Sequence, residues 1–325
     1  MISKKTIAFL LKTCIVFFAL FFLYKELIAK THFEQFKQID VLEKIKENYI
    51  IFFIVIIMMF INWFIEALKW QFLISKIERI SIIRSLRAIF SGITVSTFTP
   101  NRIGEYGGRV FCLDFGDRIQ AVFITVIGSM GQLVITIFFG SIGLLYLPFY
   151  SSEIHQIIQA IDFAYPVLIF LCFLLNILLI LLFLNTSLLS NMLNKISFLK
   201  KYDRYTQVFS FYNSKELFKV LLYSSARYLV FTTQFFILLR LFDVTISYPE
   251  AIILIMIMLF VISVIPTIAI TELGVRGSVA VFLFGLVSSN TIGILFATFF
   301  IWFINLVLPA IIGTIFIFTL KFFRK

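Results

Sequence analysis

Apolar residues in this chain come in runs of about 20, and a run of that length crosses about 30 Å of hydrocarbon at 1.5 Å per residue. Six such runs are present, at about 6–24, 49–66, 119–147, 163–184, 217–240 and 290–320. Composition leaves no soluble alternative. Hydrophobic residues make up 61% and charged residues 14% of the chain, against roughly half and a quarter in soluble domains. Monomers expose only small apolar patches, whereas lipid covers such surface at no cost. The expected fold class is an all-α polytopic membrane protein.

Two further apolar stretches, 88–113 and 250–287, are broken near their middles by Pro, Gly and charged residues. Non-helical backbone at membrane depth needs protein or a wet cavity around it, so both are expected to be re-entrant. The N-terminus carries Lys4 and Lys5 before its apolar run. It lacks a small-residue cleavage site before Tyr24-Lys25-Glu26, so it reads as an uncleaved first span. With both termini cytoplasmic, the inside segments 1–5, 66–88, 185–219 and 321–325 carry 16 Lys and Arg. The outside segments 25–48, 148–162 and 240–250 carry 6, five of them in 25–48. Orientation follows Lys and Arg counts. Eight full crossings instead of six would move the basic segment 185–219 outside.

The two broken stretches share a pattern. The first reads Pro100-Asn-Arg102-Ile-Gly104-Glu105-Tyr-Gly107-Gly-Arg109, the second Pro266-Thr-Ile-Ala-Ile-Thr-Glu272-Leu-Gly274-Val-Arg276. Each is a Pro followed by Glu-x-Gly-x-Arg, and each is preceded by a Ser (Ser96, Ser263). The chain then divides into a first half, 1–147, and a second half, 148–184 with 217–325, around a basic cytoplasmic loop, 185–216. With three full spans in each half, the second is inverted relative to the first. Paired interrupted helices in inverted repeats point to a transporter site near the bilayer midplane.

Charge at that depth costs at least about 2.5–3.5 kcal/mol per residue. Glu105 and Arg109, like Glu272 and Arg276, stand four apart with Glu first, the favourable order on a helix face. One expectation is mutual neutralisation, each Glu holding its own Arg or reaching across the repeat to lock the two tips. The other is a phosphate site, with Arg109 and Arg276 as ligands and Glu105 and Glu272 as gates or coupling groups. Both hold together if Glu occupies Arg until a ligand displaces it. Arg102 and Arg227 are further candidate phosphate ligands; Arg227, ten residues into a span, has Glu66 as its alternative structural partner. Ser91, Thr94, Ser96, Thr97 and Thr99 either line a wet path or bond the preceding turn. Pro100 and Pro266 stop the first half-helices. Gly104, Gly107, Gly108, Gly274 and Gly277 are expected to supply unusual dihedrals or close helix approach.

Other chemistries lack their residues. His32 and His155 lie in different loops, so no metal site is expected. Cys14, Cys112 and Cys172 have no metal-ligand or disulfide spacing and read as packing residues. There is no GxxxxGK[ST] and no GxSxG, so neither ATP hydrolysis nor a serine hydrolase is indicated. No cofactor is expected. Asp114 and Asp117 are the one acidic pair a membrane glycosyl- or phosphotransferase would use, with a charged helix end beside Arg118 as the structural alternative. The net charge of +11 falls between spans, which suits anionic lipid headgroups and not nucleic acid.

The segment Ser96 to Arg109, the run Pro266…Glu272-Leu-Gly274-Val-Arg276-Gly277 and the overall hydropathy resemble the lysylphosphatidylglycerol synthase transmembrane-region family, also described as flippase-like membrane proteins. The second motif departs from the Gly-rich form expected after the proline. The resemblance covers nearly the whole chain. It implies a prokaryotic plasma-membrane protein that moves an anionic phospholipid or lipid-linked sugar between leaflets. Fused members carry a soluble synthase domain; this chain stops at Lys325, five residues past its last span, so that domain is expected to be absent. The implied partners are membrane lipids and a separately encoded envelope-biosynthesis enzyme. A transferase or a non-catalytic membrane partner of such an enzyme are the competing readings.

Overall fold

The computed structural model describes residues 41–99, 102–149, 163–186, 205, 207–265, 269–318 and 320, with positions 6, 9, 10, 13, 14, 17, 18 and 21. Pro100, Pro266, His32, His155, most of the first span and most of the loop 185–216 lie outside the described residues. Among the described residues the regular structure is helical throughout.

The helices are α1 (Val41–Glu47), α2 (Tyr49–Ile74), α3 (Ile82–Ser96), α4 (Gly104–Val110), α5 (Arg118–Tyr146), α6 (Ala164–Leu184), α7 (Ser214–Leu241), α8 (Tyr248–Val264), α9 (Ala269–Phe284), α10 (Thr291–Trp302) and α11 (Leu308–Ile317). Alpha-helix is the only open-ended structure that satisfies its own backbone in lipid. A π turn, Phe303–Val307, joins α10 to α11. Pro309 follows it; a proline removes a donor and clashes with the carbonyl four residues back, here Asn305, so the ladder widens there. Among the described residues, four stretches are long and apolar enough to cross a membrane: Tyr49–Ile74, Arg118–Phe149, Ala164–Leu184 and Thr291–Ile317. At 28 residues α7 is about 42 Å long, but Arg227 and its terminal charges make it less apolar.

The expected spans 119–147, 163–184 and 290–320 match within a few residues, and 217–240 is helical as α7. The span 6–24 lies mostly outside the described residues, and one expectation is corrected. The first described span does not end at residue 66 but runs to Ile74. Glu66 and Lys69 are buried inside it, at 3% and 1% exposure, and Lys69 is therefore not a loop cation.

Contacts fix the directions. The end of α2 and the start of α7 lie together, because Tyr212 donates to Leu73 O at 2.6 Å and Lys76 meets Glu216 at 2.7 Å. The start of α2 and the end of α7 also lie together, through the Lys44–Asp243 ion pair. The two helices are antiparallel neighbours. The first broken stretch starts at the Lys76 end: Ser85 donates to Ala67 O at 2.6 Å and Gln71 to Ile80 O at 2.8 Å. It also finishes there. Glu78 accepts the backbone N–H groups of Asp114, Phe115 and Gly116 at 2.8–3.2 Å, and Arg84 reaches Asp114 at 3.0 Å. Between these points the chain doubles back as α3 and α4. A Cβ on Gly108 would stand 2.6 Å from Gly92 Cα, so glycine at both positions permits the close approach of the arms.

The second broken stretch starts and finishes at the other end. It leaves from Asp243, and Asn290 at its close donates to Phe242 O at 3.0 Å and Asp243 O at 3.2 Å. Its arms, α8 and α9, pack together. The halves also exchange supports. Hairpin arm α3 packs on α11, with Thr94 donating to Ala310 O at 2.8 Å. Hairpin arm α8 packs on α5, with Phe260 against Gly140.

Candidate functional site

Two groups of charged side chains occupy the interior. The first is centred on Glu66. Its carboxylate receives Lys69 at 2.8 Å, Arg109 at 3.0 Å and Arg227 at 2.5 Å. Arg109 also pairs with Glu105, one turn back on α4. Asn62, Glu66 and Lys69 recur at i, i+4 and i+7, one face of α2, and that face meets α4, α5 and α7. Lys69 additionally donates to Gly128 O at 3.2 Å. Arg227 lies over the Trp63 ring, 5.0 Å from its centroid.

A chain of amides extends this group. Arg227 Nε donates to Asn62 Oδ1 at 2.9 Å, and Asn62 Nδ2 lies 3.4 Å from Asn305 Oδ1. Asn305 Nδ2 donates to Gln234 Oε1 at 2.9 Å, and Gln234 Nε2 to Val55 O at 2.8 Å. The π turn carries Asn305. Two donors of this group are left over: Arg109 Nε and Trp63 Nε1 are buried without a hydrogen-bond partner among the described residues. Buried polar groups are otherwise almost always bonded.

The second group joins the two hairpins. Arg102, at the tip of the first, meets Glu272, at the start of α9, at 2.6 Å. Arg276 meets the same carboxylate at 2.8 Å. Glu272 is 4% exposed, but the Arg102 side chain is 41% exposed, so this group opens outward at Arg102, whereas Glu66, Lys69 and Arg109 of the first are buried and its Glu105 and Arg227 are partly so. Arg102 also lies within electrostatic range of Glu105, which links the groups. Its backbone has φ 56°, the left-handed region. That conformation costs a residue with a Cβ about 1–2 kcal/mol. Thr99 holds it, accepting at its carbonyl from Arg102 N at 3.3 Å and at its hydroxyl from Gly104 N at 2.8 Å. Glycine would suit this backbone better, so the guanidinium is the reason for arginine here.

Across the two groups Glu66, Glu105 and Glu272 face Lys69, Arg102, Arg109, Arg227 and Arg276. Among the described residues, five cations against three carboxylates leave the two groups two positive charges in excess. The buried members Glu66, Glu272, Lys69 and Arg109 balance, so the surplus sits with the less buried Arg102, Arg227 and Arg276 beside Glu105.

Other expected residues fall as follows. Gly104 opens α4, where a Cβ would stand 2.5 Å from Val95 O. Gly107 has open space beside it, Gly274 is an exposed residue within α9, and Gly277 has ordinary contact with Leu295. No described glycine has positive φ; these positions serve close approach or nothing visible, and Gly107 and Gly274 are helical residues and not breaks. Thr94, Ser96, Thr97 and Thr99 each bond the preceding turn. Asp117 caps α5, accepting from Ile119 N and Gln120 N, while Asp114 pairs with Arg84.

The sequence marks Glu66 as a partner for Arg227 and Lys69 as a loop cation, and gives no role to Asn62, Gln234 or Asn305. The signal was the three-residue polar face of α2, hidden because Glu66 resembled the polar end of a span.

No curated protein and no solved structure matches the chain. Residues 9–313 match the family model for the lysylphosphatidylglycerol synthase TM region, and over nearly its whole length this membrane protein belongs to that family.

Proposed function

We propose that the protein moves an anionic lipid, a phospholipid or a lipid-linked sugar, across a prokaryotic plasma membrane. The observation that carries this reading is the excess of two positive charges across the two groups, carried by partly exposed arginines and open at Arg102, where the two hairpins meet. An ion-pair lock alone needs no such excess, whereas a phosphate arriving between the tips supplies the missing negative charge. Arg102 and Arg276 meet it first. Arg109, with its unused Nε donor, and Arg227 lie behind them. Glu272 and Glu105 hold these cations in the empty site and release them to the ligand, so each acts as a gate. Guanidinium forks suit phosphate oxygens.

The two halves act as an inverted repeat of about six full spans and two re-entrant hairpins. Support comes from hairpins that start from opposite ends, return to their own ends and rest on the opposite half. The gathering of Arg79, Arg84, Arg87 and Arg118 at the Lys76 end supports a cytoplasmic position for that end.

The test is native mass spectrometry of the purified full chain with anionic and zwitterionic phospholipids, comparing wild type with Arg102→Ala/Arg276→Ala and Arg109→Ala/Arg276→Ala. Selective retention of one anionic class by wild type, lost in both double variants, supports the site. Equal retention by all three proteins overturns it and leaves the charges as a structural lock.

A further inference from the structure

At the Lys76 end, α2, α3 and α11 leave between them a groove of about 590 Å³, a size typical of roughly 300–1,000 Å³ ligand sites. Phe60 and Phe64 of α2, Leu86 and Phe90 of α3, and Ile312 and Phe316 of α11 line it. One lining residue is polar, Arg87. None of these belongs to the two interior charge groups.

Arg84 and Arg87 stand three apart on α3 and are treated differently. Arg84 meets Glu78 at 3.1 Å and Asp114 at 3.0 Å. Arg87 is exposed and has no hydrogen bond or acidic partner among the described residues. Its depth is set by Ser85, which bonds Ala67 O, seven residues before α2 ends at Ile74. Seven residues are about 10 Å and Arg87 lies two residues further along α3, so its backbone sits below the end of α2, within reach of the interface for an arginine that extends along an apolar stem. Its guanidinium, with no acidic partner among the described residues, is free to take an anion beside the apolar groove. A molecule with an anionic head and an apolar tail satisfies charge and groove together. Arg79, also exposed and unpaired at this end, favours net negative charge over a zwitterion.

We infer that this groove holds one anionic phospholipid of the leaflet facing the Lys76 end, with its phosphate on Arg87 and an acyl chain along Phe64, Phe90 and Phe316. The lipid bridges α11 and α3, the pair that also carries the Thr94–Ala310 bond, and so braces the first hairpin from outside. The inference requires membrane residence and not transport.

The experiment uses the full chain in nanodiscs doped with phosphatidylglycerol or phosphatidylcholine carrying a photoreactive acyl chain, with labelled peptides mapped by mass spectrometry. Wild type is expected to show several-fold more label from phosphatidylglycerol on the peptides containing Phe90 and Phe316. Arg87→Gln is expected to fall to the phosphatidylcholine level and Arg87→Lys to keep most of the preference. Arg102→Ala/Arg276→Ala is expected to label the groove like wild type, which separates this site from the interior one. Equal labelling of wild type by the two lipids overturns the inference, as does unchanged labelling of Arg87→Gln.

Discussion

The two hairpins carry the same Glu-x-Gly-x-Arg spacing, yet it does different things in each. In the first, α3 and α4 touch at Gly92 and Gly108, and Arg109 is sealed between Glu66 and Glu105. In the second, the long apolar arm α8 has one charge, Glu250, which is spent capping its first turn, and Glu272 looks outward to an arginine lent by the first hairpin. The first hairpin therefore contributes to both charge groups, Arg109 inward and Arg102 outward. A repeated motif gives equivalent positions, but the neighbours decide which copy is structural and which is accessible. On the proposed function, the buried group is the scaffold and the open group the first contact with ligand.

Substitutions can break this contrast, and the largest effect is expected at its centre. Glu66→Gln leaves Lys69, Arg109 and Arg227 around a neutral side chain in a dry site. Breaking a buried ion pair costs about 3–5 kcal/mol. Thermal unfolding in detergent is expected to show a large drop, or no folded protein at all. Glu272→Gln is expected to cost clearly less, because the Arg102 side chain it releases is 41% exposed; an equal cost would erase the distinction between scaffold and open site. Next comes Gly108→Leu, which drives a side chain into Gly92. Overpacking of this kind costs about 1–3 kcal/mol, read as a lower unfolding temperature. A double-mutant cycle of Arg102→Ala with Glu272→Ala sharpens the comparison, with an expected coupling of about 0.5–3 kcal/mol across the hairpins. The smallest effect is expected at Gly107→Ala. With open space beside it and alanine favoured over glycine in a helix by about 1 kcal/mol, unfolding should stay put or move slightly upward.

Much of the architecture was legible in the sequence because hydrocarbon thickness sets helix length. Runs near 119–147 and 163–184 became α5 and α6 almost residue for residue. The Glu105–Arg109 and Glu272–Arg276 pairs were legible because four-residue spacing is a local property of helices. Contacts between distant segments were not. Nothing local says that Glu66 gathers three cations from α2, α4 and α7, or that Arg102 crosses 170 residues to Glu272. The end of α2 was misplaced for a related reason: Glu66 and Lys69 look like membrane-edge residues until their partners are known. The amide chain through Asn62, Asn305 and Gln234 was invisible because a single amide in an apolar span has many possible partners.

The most direct measurement is lipid movement by the full chain in proteoliposomes, using fluorescent phosphatidylglycerol and phosphatidylcholine. The account predicts that wild type moves the anionic lipid faster, and that Arg102→Ala/Arg276→Ala slows it at least about tenfold, a loss of about 1.4 kcal/mol of transition-state stabilisation, while thermal unfolding shows the protein still folded. A folded double variant that moves phosphatidylglycerol as fast as wild type would contradict it.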